Sequence, residues 1–135
     1  MVASQIVARG VADQRVLDAM RDVPRHQFVS SEYQTQGYED TPLPIGSGQT
    51  ISQPYIVAYM TQELRLQAHH EVLEIGTGCG YQTAVLARLV CKVYTVEVIG
   101  PLAEQGRENL AQTGIGNTAR HDITDAQHHT GCNEQ

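Results

Sequence analysis

The chain has 135 residues and a formal net charge of −6, with Lys and Arg scattered rather than grouped. That length builds about one domain around one core, and the charge argues against a nucleic-acid footprint and against adsorption to anionic lipid. Nowhere do about 18 apolar residues run together, and no basic segment precedes an apolar run, so neither a membrane span nor a signal peptide is expected. Cys79, Cys91 and Cys132 form no C-x-x-C pair and leave an odd count. They suggest neither a disulfide framework nor a zinc module, and a soluble protein of the reducing cytoplasm fits.

From the N-terminus, Ile6 and Val7 sit in a short helical pattern that Gly10 can close, and Asp13 offers an N-cap for a helix bearing Val16, Leu17, Met20 and Val23. Pro24 stops it. This pair carries one apolar stripe and no catalytic group, which reads as a packing element. His26, beside that proline, reads as a hydrogen-bonded structural histidine.

Residues 37–54 hold repeated Gly and Ser breaks and three prolines, a composition that predicts a long irregular loop with no regular element. Loops of that length in a small domain are lids or binding loops, or else disordered, and Leu43, Ile45 and Ile51 speak against disorder. Pro54 is placed as the first residue of a helix whose buried face is predicted to carry Ile56, Val57, Met60 and Leu64. Ser52 has two readings here, a cap for that helix or a group at a reacting centre.

After a polar connector over 67–70, residues 71–75 read as a strand that delivers Gly76-Thr77-Gly78-Cys79-Gly80 into a helix starting at Tyr81. Alternating glycines permit positive φ and leave no Cβ between chain and ligand, so a flat or charged small molecule can lie against the loop. G-x-G-x-x-G would need glycine at 81, so this is not the dinucleotide fingerprint. Ala84, Val85, Leu86, Leu89 and Val90 continue the helix, and residues 92–98 read as a second strand. The result is a right-handed β-α-β unit with parallel strands, expected to be largely buried between helices. Glu97 ends the second strand 21 positions after Gly76, where nucleotide-binding units place an acid for the ribose hydroxyls. Pro101 opens a further helix with Leu102, Ala103 and Leu110, which Gly106 weakens by about 1 kcal/mol relative to alanine. A third strand is expected around 118–123, and residues 126–135 read as a disordered tail. His128, His129 and Cys132 lack a fourth ligand, so no metal site is expected.

Taken together, Val23-Pro24-Arg25-His26, Leu43-Pro44-Ile45-Gly46, Gly48-Gln49-Thr50-Ile51-Ser52-Gln53-Pro54, Val72-Leu73-Glu74-Ile75-Gly76-Thr77-Gly78, Gly80-Tyr81-Gln82-Thr83-Ala84 and Val93-Tyr94-Thr95-Val96-Glu97 resemble the protein-L-isoaspartate O-methyltransferase family over roughly residues 3–121. The Thr50-Ile51-Ser52 stretch narrows the resemblance beyond methyltransferases at large.

The resemblance implies an α/β fold of the Rossmann-like S-adenosylmethionine-dependent methyltransferase class. It would be incomplete, with N-terminal helices and about one and a half β-α-β units and without the family's C-terminal half. It implies a helical segment over 1–36, a substrate loop and helix over 37–66 and a partial cofactor domain over 67–125 ahead of the tail. Glu74, Gly76, Thr77, Gly78, Gly80 and Glu97 would hold S-adenosylmethionine, and Thr50, Ile51, Ser52 and Gln53 would face an isoaspartyl group in a protein or peptide, with Ser52 at the reacting centre. Asp122 would stand near the adenine. The implied activity is repair of damaged proteins by methyl transfer to the isoaspartyl α-carboxylate. The alternative is a remnant that binds cofactor or associates through an open sheet edge.

Overall fold

The computed structural model describes residues 1–120. The N-terminal pattern forms as expected, with a π-helical turn over Val2–Ile6, a 3-10 turn over Val7–Arg9 and Gly10 closing it at φ 94°. Helix α1 (Gln14–Asp22) starts where the Asp13 side chain accepts from the Arg15 amide, and it buries Val16, Leu17, Ala19 and Met20. Two 3-10 turns follow, Arg25–Phe28 and Ser31–Gln36. Arg25 is fully buried: its Nε donates to the Gly37 carbonyl at 2.7 Å, and its guanidinium lies 4.8 Å from the centre of the Tyr81 ring. His26 is the structural histidine expected, with Nδ1 2.7 Å from the Tyr38 hydroxyl.

Residues 37–54 are not wholly irregular. Strands β1 (Leu43–Gly46) and β2 (Gln49–Ile51) form an antiparallel hairpin with Leu43 opposite Ile51. Pro44 is accommodated because a two-stranded ribbon leaves it an unpaired side. The turn is made by Gly46, Ser47 and Gly48, all at positive φ. Helix α2 (Pro54–Glu63) begins at proline as expected, yet its buried face is Pro54, Val57, Ala58 and Thr61. Of the four residues assigned to that face, only Val57 is buried, while Met60 and Leu64 are about half exposed.

The glycine loop sits in a parallel sheet of order β3-β4-β5, with β3 Glu71–Ile75, β4 Lys92–Val96 and β5 Thr118–Arg120. Glu71 pairs with Lys92 and Ile75 with Val96. Helices α3 (Tyr81–Ala87) and α4 (Gly100–Gln112) make the two crossovers. Both crossovers step the same way along the sheet, so right-handedness places both helices on one face. Val93 and Thr95 point to that face and are buried.

The opposite face corrects the expectation of strands buried on both sides: Leu73 is 64% exposed and Ile75 77%, because no described helix covers them. One hydrophobic cluster runs from Val2 through Phe28 and Val57 to Leu110. Cys79 is a buried free thiol. Asp122, His128, His129, Cys132 and the expected tail lie outside the described residues. Among those described, no cluster fit for a metal ion occurs, and no helix is long and apolar enough to cross a membrane.

Candidate functional site

The glycines of the loop differ in what each supplies. Gly76 stands at φ 96° with nothing within 4 Å of where a Cβ would be, so its Cα faces open space. Gly78, at φ 53°, would place a Cβ 3.3 Å from the Ile45 side chain of the hairpin. Gly80, at φ 90°, would place one 3.1 Å from Leu110 and 3.2 Å from the Gly106 carbonyl, so it is there for backbone conformation and for the close approach of α4.

The loop amides are already engaged. Gly76 and Thr77 donate to the Val96 carbonyl at 2.7 and 3.1 Å, and Gly80 donates to the Thr77 carbonyl at 2.9 Å. Gly78 donates to Glu97 Oε2 at 2.8 Å, while Glu97 Oε1 accepts from Ile99 at 3.1 Å. Glu97 therefore braces the loop against β4. A carboxylate has about four acceptor positions, so these two bonds leave two unused.

Beneath the loop lies a group of three threonine hydroxyls, of which the sequence points only to that of Thr77. Thr83 Oγ1 donates to Glu74 Oε2 at 2.5 Å, and Thr95 Oγ1 donates to the same oxygen at 2.7 Å. Thr77 Oγ1 lies 2.6 Å from Thr95 Oγ1. The other carboxylate oxygen, Oε1, is buried and has no partner. Burial pushes the Glu74 carboxyl above the ordinary glutamate range, the Thr83 and Thr95 hydroxyls pull it back, and the nearby Glu97 charge adds a smaller upward push.

A cavity of about 310 Å³ joins this loop to the hairpin. Ile45, Thr50, Ile51 and Ser52 form one side of it, Val57 and Met60 of α2 another, and residues 74–79 with Tyr81 and Gln82 the third. The structure thus brings Thr50, Ile51, Ser52, Glu74, Gly76, Thr77 and Gly78 to one place. Gln53, Gly80 and Glu97 do not line it. Gln53 occupies the N-cap position of α2 and turns its amide to Asp40 Oδ1 at 3.3 Å, holding the loop from behind. Ser52 is exposed and precedes that N-cap position, which removes the capping explanation for it.

Met60, Gln82 and Ile45 were not foreseen in the wall. An α2 stripe read as wholly core hid Met60, and Ile45 was hidden by the loop assignment. The cavity's size, one apolar flank, the open space at Gly76 and the unpartnered Glu74 oxygen suit a small ligand with a flat part and a cationic end.

Comparison with known proteins agrees in kind. Residues 1–130 match the family described as "Protein-L-isoaspartate(D-aspartate) O-methyltransferase (PCMT)". A protein-L-isoaspartate O-methyltransferase of Methanoculleus marisnigri is 58% identical over 85% of this chain and 52% of its own length. One of Opitutus terrae is 56% identical over 84% of this chain and 49% of its own length. A solved protein-L-isoaspartate O-methyltransferase superposes with a TM-score of 0.76 at 30% identity, over 86% of this chain and 39% of its own. A tRNA (m1A58) methyltransferase from Aquifex aeolicus superposes at 0.53 and 30% identity, over 63% of this chain and 36% of its own. The chain spans about half the length of the curated relatives it matches.

Proposed function

The chain belongs to the protein-L-isoaspartate O-methyltransferase family, and from that premise we propose that its site serves methyl transfer from S-adenosylmethionine to the free α-carboxylate of L-isoaspartyl residues in cytoplasmic proteins. One observation carries the reading: Ser52 of the hairpin and Gly76–Gly78 of the loop line a single cavity. When bound, S-adenosylmethionine supplies an electrophilic methyl on a sulfonium. Gly76 would let its flat part approach the backbone, the free acceptor positions of Glu97 would take ribose hydroxyls, and Glu74 Oε1 would take the ammonium of its amino-acid end.

The isoaspartyl carboxylate is ionised near pH 7, so no strong base is needed and placement does most of the work. Thr50 and Ser52 would orient that carboxylate, Ser52 by a hydrogen bond, while Ile45, Val57 and Met60 exclude water. Neutralisation of two opposite charges is favoured where water is excluded. Proteins and peptides bearing isoaspartyl groups are the partners this implies.

The second reading is cofactor binding without transfer, and the uncovered sheet face with Leu73 and Ile75 exposed favours it. Methyl transfer from labelled S-adenosylmethionine to an isoaspartyl peptide, measured beside thermal unfolding, separates the two. Transfer with cooperative unfolding supports the first. Calorimetric binding without transfer supports the second.

A further inference from the structure

The hydroxyls under the loop can be given a direction. Thr95 spends its one hydroxyl hydrogen on Glu74 Oε2, so at the 2.6 Å contact it must accept, and Thr77 must donate. Thr83 spends its own hydrogen on the same oxygen. The order is Thr77 to Thr95 to Glu74, met there by Thr83. Each of these hydroxyls sits in a wholly buried residue: Thr83 is 0% exposed, Thr95 1% and Thr77 4%. Thr83 and Thr95 both donate to Oε2, Thr77 acts through Thr95, and no hydroxyl reaches Oε1.

We propose that Thr77, Thr83 and Thr95 are positioning residues for ligand binding: the hydroxyls of Thr83 and of Thr95, the latter backed by Thr77, favour the carboxylate form of Glu74, with Oε1 reserved for a cationic ammonium. The inference rests on the reading of this cavity as an S-adenosylmethionine site, but its core, the ionisation of Glu74, can be read without any ligand.

The geometry has a physical rationale. A half-enclosed carboxylate with no cation beside it would take up a proton and become a donor, which repels an ammonium. Two hydroxyl donors on one oxygen favour the charged form and leave the other, buried oxygen without a partner. The titratable groups that face Glu74 do not supply this. Glu97, from the end of β4, is a like charge, and Cys79, in the loop, is a thiol that burial pushes up to about 11 and so stays neutral. The network also joins four pieces, β3, the loop, α3 and β4, so the acceptor is fixed relative to the glycines.

The test uses the full chain with Thr95→Val, which keeps the shape and removes the hydroxyl, and Thr95→Ser, which restores it. The Glu74 carboxyl is followed by carbon NMR, assigned with Glu74→Gln, and S-adenosylmethionine affinity is measured by calorimetry from pH 5.5 to 8.5. Thermal melting confirms that each variant is folded.

Thr95→Val is expected to titrate Glu74 at higher pH than the parent, and to bind S-adenosylmethionine about tenfold more weakly near pH 6 and within about twofold near pH 8.5. Thr95→Ser is expected to restore both. An unchanged Glu74 titration in folded Thr95→Val overturns the proposal whatever the binding data show. Equal loss of affinity at every pH overturns it in favour of a packing role. If the parent chain binds no S-adenosylmethionine at any pH, the cofactor reading fails, and with it the assignment of Oε1 to an ammonium.

Discussion

Burial and hydrogen bonding pull Glu74 in opposite directions, and burial prevails. Because its proton affinity is higher in the folded chain than in the unfolded one, the folded state holds the extra proton over the window from the ordinary glutamate range up to the raised value. Stability therefore falls as pH rises through that window and levels off above it. Binding of a cationic ligand end runs the other way over the same window. Urea denaturation from pH 4 to 8 should show the fall, and Glu74→Gln should flatten it while costing at least about tenfold in S-adenosylmethionine affinity. Ser52 is exposed at the mouth of the cavity and outside the loop's hydrogen bonds. Ser52→Ala should accordingly lower turnover about tenfold or more and leave calorimetric cofactor affinity nearly unchanged. Cys79 is 3% exposed, with its thiol pushed up to about 11. Its alkylation at pH 8 should be slow in the folded chain and become rapid in denaturant.

Helix α4 shows where intrinsic propensity and packing disagree. Gly106 looks like a flaw in the sequence, but a Cβ there would stand 2.8 Å from the Gly78 carbonyl and 3.1 Å from the Thr77 methyl. Gly106→Ala should therefore destabilise by about 1–3 kcal/mol by chemical denaturation, although alanine is the better helix former, and should weaken ligand binding with it. The glycine's purpose is illegible in sequence because the neighbour it makes room for is 28 positions away. The β-α-β unit was legible, since β-branched runs, alternating glycines and the spacing to Glu97 all reflect local geometry. The hairpin was hidden by its prolines and glycines, though Leu43, Ile45 and Ile51 around Gly46-Ser47-Gly48 carried a trace of it. The α2 stripe was misread because one of its apolar residues, Met60, lines the cavity instead of the core. Of the candidate site, Ser52 and the glycines were visible as a pattern. Thr83 and Thr95 were not, because a threonine in a helix or a strand says nothing of where its hydroxyl points.

At the scale of the whole molecule, the sheet has two unlike faces. One is sealed by α3 and α4; the other presents Leu73 and Ile75, with Val98 73% exposed beyond the strand end. A surface of this kind should bind an apolar reporter dye in the folded state and favour association with rising concentration. Leu73→Thr with Ile75→Thr should reduce both, with a change in stability within about 1 kcal/mol, since neither side chain is buried. The handedness of two crossovers decides which face is left open, and no count of residues in the chain encodes that directly. The placement of Ile45 reaches furthest across the molecule. It belongs to the hydrophobic cluster, it lies in the hairpin that carries Ser52, and its tip abuts Gly78. On the reading proposed above, a ligand that settles on the glycine loop would press on the arm proposed to receive the peptide, and thermodynamic reciprocity would require the peptide to press back. Backbone amides of Gln49 and Ile51 should exchange with deuterium more slowly once the loop is filled, making the hairpin a gauge of occupancy.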